Sequence, residues 1–193
     1  MGDAATDLPD FETLYRQIQA LPEGVTGEIL DPGELRTMGR PGKGHRRVQR
    51  MLVEALRGFD ATTGGAGWWI EVEAEVRFGA RLLVPDLSGW RVERVTELPD
   101  ENPLTIVPDW CCEVLSPGST ARIDRLKKLP RYLASGVGHV WLVDPSLRLV
   151  EVFAGSDGVP VRVAAGGDTE VLALPPFDGV FDLAPWWLPS TEG

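Results

Sequence analysis

The sequence predicts an α/β fold, and three observations carry that reading. Val107–Val143 runs as a short apolar strand, a Ser-Pro-Gly-Ser-Thr loop, a charged amphipathic segment and a second apolar strand. A strand–helix–strand crossover of this kind places its two strands in one sheet. Val25–Leu30 and Glu34–Met38 alternate in polarity and are joined by Asp31-Pro32-Gly33, which reads as a hairpin. Phe11–Leu21 and His45–Phe59 each carry an apolar stripe at helical spacing.

The elements follow in order. Asp10 is the expected N-cap of a first helix whose buried face is Phe11, Leu14, Tyr15, Ile18 and Leu21; Pro22-Glu23-Gly24 ends it. The hairpin comes next, with Glu28 in mid-strand. After the loop Arg40–Gly44, a second helix packs Val48, Met51, Leu52, Ala55, Leu56 and Phe59. Its outer face holds Arg46, Arg47, Arg50 and Arg57, read as a solvated face or as a surface for a phosphate backbone or acidic partner. Trp68–Phe78 alternates throughout and is expected to form one antiparallel strand. Gly79-Ala80 turns the chain into Arg81–Val84, which delivers Pro85-Asp86. Glu93–Pro103 is a polar excursion, and the crossover follows. Leu147–Phe153 is a further strand, Val159–Ala164 and Glu170–Leu174 are expected edge strands, and Phe177–Leu188 packs Phe181, Trp186 and Trp187 against the sheet. The Trp-rich strand and this tail suggest a dimer face.

Composition narrows the function. The net charge of −10 is the reverse of what broad nucleic-acid binding uses, so any such contact must be local or assisted by a cation. No apolar run is long enough for a transmembrane helix, and the acidic N-terminus lacks the apolar core of a signal peptide. Cys111 and Cys112 are adjacent, so on a strand they point to opposite faces. Two reduced thiols, one of them in the core, are expected in a cytoplasmic protein.

Chemistry concentrates on a few residues. Asp86 ends a strand behind a proline, and Glu113 sits within the apolar strand Trp110–Leu115. A carboxylate buried without a partner is costly, so it pairs or binds a cation. Two such acids facing one crevice make a hard-oxygen site suited to Mg²⁺ or Mn²⁺. Asp124 and Lys128, four apart, share a helix face: either a simple ion pair or a lysine reaching back to the acids. Glu28 is a third acid candidate. Pro130 requires the helix to begin nearby or to bend. His45 reads as a helix N-terminal contact, His139 as structural, Tyr132 as packing and Asp109 as a strand-entry residue.

These residues resemble a known family. Glu28 and Glu34 in GEILDPGEL, His45, Val84-Pro85-Asp86, the run Glu113–Pro117, Asp124, Lys128, Tyr132, Gly136-Val137 and Trp141–Pro145 are similar to the Uma2 family of restriction-endonuclease-like proteins. The likeness covers about residues 10–185. It implies one domain over residues 1–193 with the PD-(D/E)xK nuclease fold, a mixed β-sheet flanked by α-helices with extra antiparallel strands. It implies a divalent-metal site, Mg²⁺ or Mn²⁺, held by Asp86 and Glu113. The family pattern of a lysine two residues after the acid is broken here by Leu115, and Lys128 takes the place of that lysine. Glu28 resembles the additional N-terminal acid of this fold. The implied activity is metal-dependent hydrolysis of phosphodiester bonds in DNA, with Asp86, Glu113, Lys128 and Glu28 as catalytic residues. The alternative is a catalytically inactive module of the same fold that binds a protein or nucleic acid.

Overall fold

The computed structural model describes residues 8–156 and 159–189; expectations for the N-terminal seven residues lie outside them. The crossover forms as anticipated. Strand β7 (Trp110–Val114) lies parallel to β8 (His139–Asp144), pairing Glu113 with Leu142. The helical connection between them starts as α3 (Ser119–Ile123), widens into a π-turn over Asp124–Lys128 and closes as α4 (Leu129–Ala134). Pro130 explains the widening. It has no N–H to donate, and the Leu129 N–H just before it reaches the carbonyl of Asp124, five residues back.

The first helix and the hairpin also form where expected. Helix α1 (Phe11–Gln19) is capped by the Asp10 side chain, which accepts the Thr13 N–H at 2.8 Å. Strands β1 (Thr26–Asp31) and β2 (Glu34–Met38) pair antiparallel. Helix α2 (Lys43–Leu56) buries Val48, Leu52 and Leu56.

The stretch Trp68–Phe78 corrects the expectation of one strand. It forms β3 (Trp68–Val72) and β4 (Val76–Phe78), which belong to different sheets. The chain turns at Glu73, which adopts φ 54° and whose N–H donates to the Asp86 carbonyl at 3.1 Å. The return path makes the same switch. Strand β5 (Arg81–Leu83) pairs with β1 and β4, and β6 (Leu87–Arg91), a strand not anticipated from sequence, pairs with β3 and β7. The alternating polarity of the sequence continues unbroken through Glu73, although burial does not alternate along β3, where Val72 is exposed.

Two main sheets result. The smaller has the order β2-β1-β5-β4. The larger has the order β10-β9-β8-β7-β6-β3, where β9 is Leu149–Ser156 and β10 is Val159–Gly167. Among the described residues β7–β8 is the one parallel strand pair of the larger sheet, so that sheet is mixed. Glu170–Leu174 does not extend its edge. Strand β11 (Val171–Ala173) pairs instead with β12 (Val180–Asp182) as a separate ribbon.

Both faces of the larger sheet are covered. On one, α2 and the C-terminal segment pack Val48, Leu52, Phe177, Phe181, Trp186 and Trp187 against Trp110, Cys112 and Trp141. On the other, α4 packs Leu129, Tyr132 and Leu133 against Cys111, Leu115, Val140 and Leu142. Helix α1 covers the smaller sheet through Ile29 and Leu82. Gly89 is required by this packing, since a Cβ there would meet the rings of Trp110 and Trp68 at 3.0 and 3.2 Å.

Double coverage changes two expectations. Cys111 and Cys112 point to opposite faces, yet both are buried and free, and burial pushes both thiols up. The Trp-rich surface proposed as a dimer face is not a surface. Trp68, Trp90, Trp110, Trp141, Trp186 and Trp187 are buried and Trp69 is partly covered, donating its indole N–H to the Val95 carbonyl. Among the described residues no helix is long and apolar enough to cross a membrane.

Candidate active site

The two sheets meet where the chain crosses between them, and the acids gather at that junction. Asp86 lies on the crossing itself, between β5 of the smaller sheet and β6 of the larger. Its Oδ2 accepts the Val114 N–H at 2.6 Å, and its Oδ1 meets His45 Nε2 at 2.8 Å. Pro85 and these two donors fix the carboxylate against the end of β7. Glu28 comes from the smaller sheet, on β1 beside β5. Its Oε1 accepts the Val84 N–H at 2.9 Å. Glu113 comes from the larger sheet, on the β7 face that carries Cys111 and Leu115 toward the crossover helix.

Lys128 ties the two sheets together. The π-turn directs it inward, where it is 2% exposed. Its Nζ lies 2.7 Å from Glu28 Oε1, 3.2 Å from Glu113 Oε1 and 3.7 Å from Asp124 Oδ1. Tyr132, one turn further on, donates its hydroxyl to Glu113 Oε1 at 2.5 Å. The four residues singled out from sequence form one cluster: Glu28, Glu113 and Lys128 are in direct contact, and Asp86 stands beside them, held by the N–H of Val114, the residue after Glu113. His45 and Tyr132, read as a helix contact and as packing, are part of it. Both stood among the residues that carry the family resemblance, and each can hydrogen-bond a carboxylate, but nothing in the spacing ties His45 to Asp86, 41 residues away.

The electrostatics of this network are unbalanced. Burial alone would depress the Lys128 pKa, but Glu113, Glu28 and Asp124 outweigh it and hold the ammonium above its ordinary value. The acids cannot all share that one charge. Burial pushes Glu113 well up against the pull of Lys128, helped by Asp124, Asp86 and Glu28. Burial also raises Asp124 to about 6. Glu28 Oε2 and Asp124 Oδ1 are buried without a hydrogen-bond partner, and such orphaned acceptors are costly.

A cleft of about 750 Å³ opens onto the network, and Asp86, Glu113, Val114, Asp124, Lys128 and His45 line it. Its donors suit a hard divalent cation: carboxylate oxygens in excess of the positive charge available to them. Among the described residues, no three Asp, Glu, His or Cys side chains already converge as a closed metal cage. The fit is therefore to an ion that takes one or two carboxylates and completes its shell with water and substrate oxygens, as Mg²⁺ does. Each Asp86 oxygen accepts one donor and keeps lone-pair capacity for such an ion.

Other candidates lie elsewhere. Asp109 is a structural hook, accepting the Arg91 N–H at 2.8 Å and Arg94 Nε at 2.9 Å. His139 stands at the opposite end of the β7–β8 pair from Val114, and burial lowers its pKa.

The chain and its fold have counterparts among known proteins. The Uma2 family, described as "Putative restriction endonuclease", matches residues 8–184. A solved structure from Anabaena variabilis ATCC 29413, described as a "putative nuclease belonging to DUF820", is similar with a TM-score of 0.72 and 21% identity. The likeness covers 92% of this chain and 98% of that one, and it is a likeness of fold: a restriction-endonuclease-like mixed sheet flanked by helices. No curated protein matches the chain.

Proposed function

The chain belongs to the Uma2 family, and from that premise we propose that it is a divalent-metal-dependent endonuclease hydrolysing phosphodiester bonds in DNA. A single domain, with its core over about residues 10–185, carries the activity, and its site of action is the cytoplasm. One observation supports the reading above the others. Asp86, Glu113 and Asp124, far apart in sequence, line one cleft with a buried lysine that Glu28 contacts from behind, and the acids exceed the lysine in number.

In this reading Asp86 and Glu113 hold Mg²⁺ or Mn²⁺. The bound ion would polarise the scissile phosphate and lower the pKa of a water. The protein's own groups do the rest. His45 and the Val114 N–H keep the Asp86 carboxylate in one orientation. Tyr132 and Lys128 do the same for Glu113. Lys128 keeps a permanent positive charge at the cleft floor, where charge builds on the phosphate in the transition state. Glu28 positions Lys128 by accepting its closest contact while being fixed itself by the Val84 N–H.

A plasmid-cleavage assay with Mg²⁺ and with Mn²⁺ tests this. Wild type is expected to nick or linearise the plasmid, and Asp86→Ala and Glu113→Ala to abolish cleavage. Activity surviving both changes would overturn the assigned site. A wild type that binds nucleic acid or a protein without cutting would favour the inactive-module alternative.

A further inference from the structure

The outer wall of the cleft differs in charge from the rest of the chain. The inner network holds Asp86, Glu113, Asp124 and Lys128. Outside it, the charged residues lining the cleft are Arg36, Arg40, Lys43 and a single acid, Glu73. Glu73 already accepts a hydrogen bond from Gln49. On a chain of net charge −10, this stretch of β2 and the loop into α2 is locally basic.

The three cations are also available. Most other basic side chains are engaged: Arg94 with Asp109, Arg125 and Arg162 with Glu151, Lys127 and Arg131 with Asp31. The arginines of α2 that sequence marked as a phosphate surface are partly committed as well. Arg46 donates to the Pro41 carbonyl and Arg47 to the Pro185 carbonyl. Arg36, Arg40 and Lys43 have no ion pair within 4 Å among the described residues, although Arg36 is close enough to Asp124 to favour its charged form. For Arg36 the lack is costly, because its Nη1 is buried without a hydrogen-bond acceptor. Arg36 sits directly across the hairpin from Glu28, so its guanidinium borders the metal-site network.

We propose that Arg36, Arg40 and Lys43 form a clamp for the sugar–phosphate backbone beside the scissile phosphate, holding one strand of the substrate along the β2–α2 connection. The inference rests on the nuclease reading and adds the residues that grip the strand. A guanidinium with an unused buried N–H matches a phosphate oxygen in charge and geometry. The first turn of α2 follows the loop, has no side-chain cap and contains no acid, so nothing there opposes an anion. One strand of the substrate would lie in this cleft of about 750 Å³.

The test reads binding without cleavage. Fluorescence anisotropy of a labelled single-stranded DNA oligonucleotide is measured in EDTA across a salt series. The proteins are wild type, Arg36→Gln/Arg40→Gln/Lys43→Gln, and Arg50→Gln/Arg57→Gln as a control of equal type on α2. The triple variant is expected to lose at least about tenfold in affinity, and its log–log salt slope to fall by about 2, roughly 0.7 for each phosphate contact removed. The control should match wild type. Arg40→Gln/Lys43→Gln, both at exposed positions, gives a folded fallback with a proportionately smaller loss. If wild type binds and the triple variant binds equally, or if the control loses as much, the clamp is wrong while the nuclease reading stands. A wild type with no affinity for this DNA in EDTA would overturn the clamp, and one that also fails to bind single-stranded or duplex DNA with Ca²⁺ added would overturn both.

Discussion

Lys128 makes its closest contact with Glu28, at 2.7 Å, and not with Glu113, at 3.2 Å. The two residues lie far apart in the chain and in different layers, so this contact couples the junction between the sheets to the crossover helix. Lys128→Met leaves three buried carboxylates without their ammonium. It is expected to destabilise the protein by about 3–5 kcal/mol near neutral pH. Adding Glu28→Gln should recover part of that loss, and a double-mutant cycle by urea denaturation should return a coupling of about 1–3 kcal/mol. Strictly additive effects would mean the contact contributes nothing.

Asp124 sets a pH dependence whose sign is fixed. Its pKa is raised from an ordinary 3.8 to about 6, first by burial. Between those values the folded state holds the proton more tightly than the unfolded state does. The contribution to stability is therefore complete below about pH 4 and is lost as pH rises through 6, a change of about 3 kcal/mol. Burial drives Glu113 in the same direction. Urea midpoints measured over this range should fall with rising pH in the metal-free protein, and Asp124→Asn should flatten the fall.

Added Mg²⁺ or Mn²⁺ should reverse that trend. A cation binds the ionised acids, so its stabilising effect grows as protons leave. The rise in Tm on adding metal is expected to be small near pH 5 and larger near pH 8. Chelation should remove it, and Asp86→Asn should abolish it. A metal-induced shift unchanged in Asp86→Asn would place the ion elsewhere.

Tyr132 separates packing from positioning. Phe fills the same volume beside Phe78, so a residue that only packs would tolerate Tyr132→Phe. Losing the hydroxyl that Glu113 accepts at 2.5 Å is expected to cost about 1–3 kcal/mol. It should also lower kcat more than it changes KM.

Local pattern carried a large part of this protein. The Asp10 cap, the stripes of α1 and α2, the turn at Asp31-Pro32-Gly33 and the strand–helix–strand unit from Trp110 to Asp144 are short-range features, and the structure forms each nearly where the pattern placed it. Glu113 was legible as an acid in an apolar strand that needs a partner, and Asp86, Lys128 and Glu28 were named as candidates beside it; the structure gathers all four at one junction. The sequence by itself thus determined most of the helices and strands, though not the split at Glu73 or strand β6, and it marked the charged side chains that needed partners. Only the tertiary structure decided who meets whom. The break at Glu73 was silent in the pattern, since alternation continues through it while the chain changes sheets. His45 reaches Asp86, and Tyr132 reaches Glu113, only once the two sheets and the crossover helix have packed. Periodicity reports which face of an element is buried, and it carries no information on which distant element will cover that face.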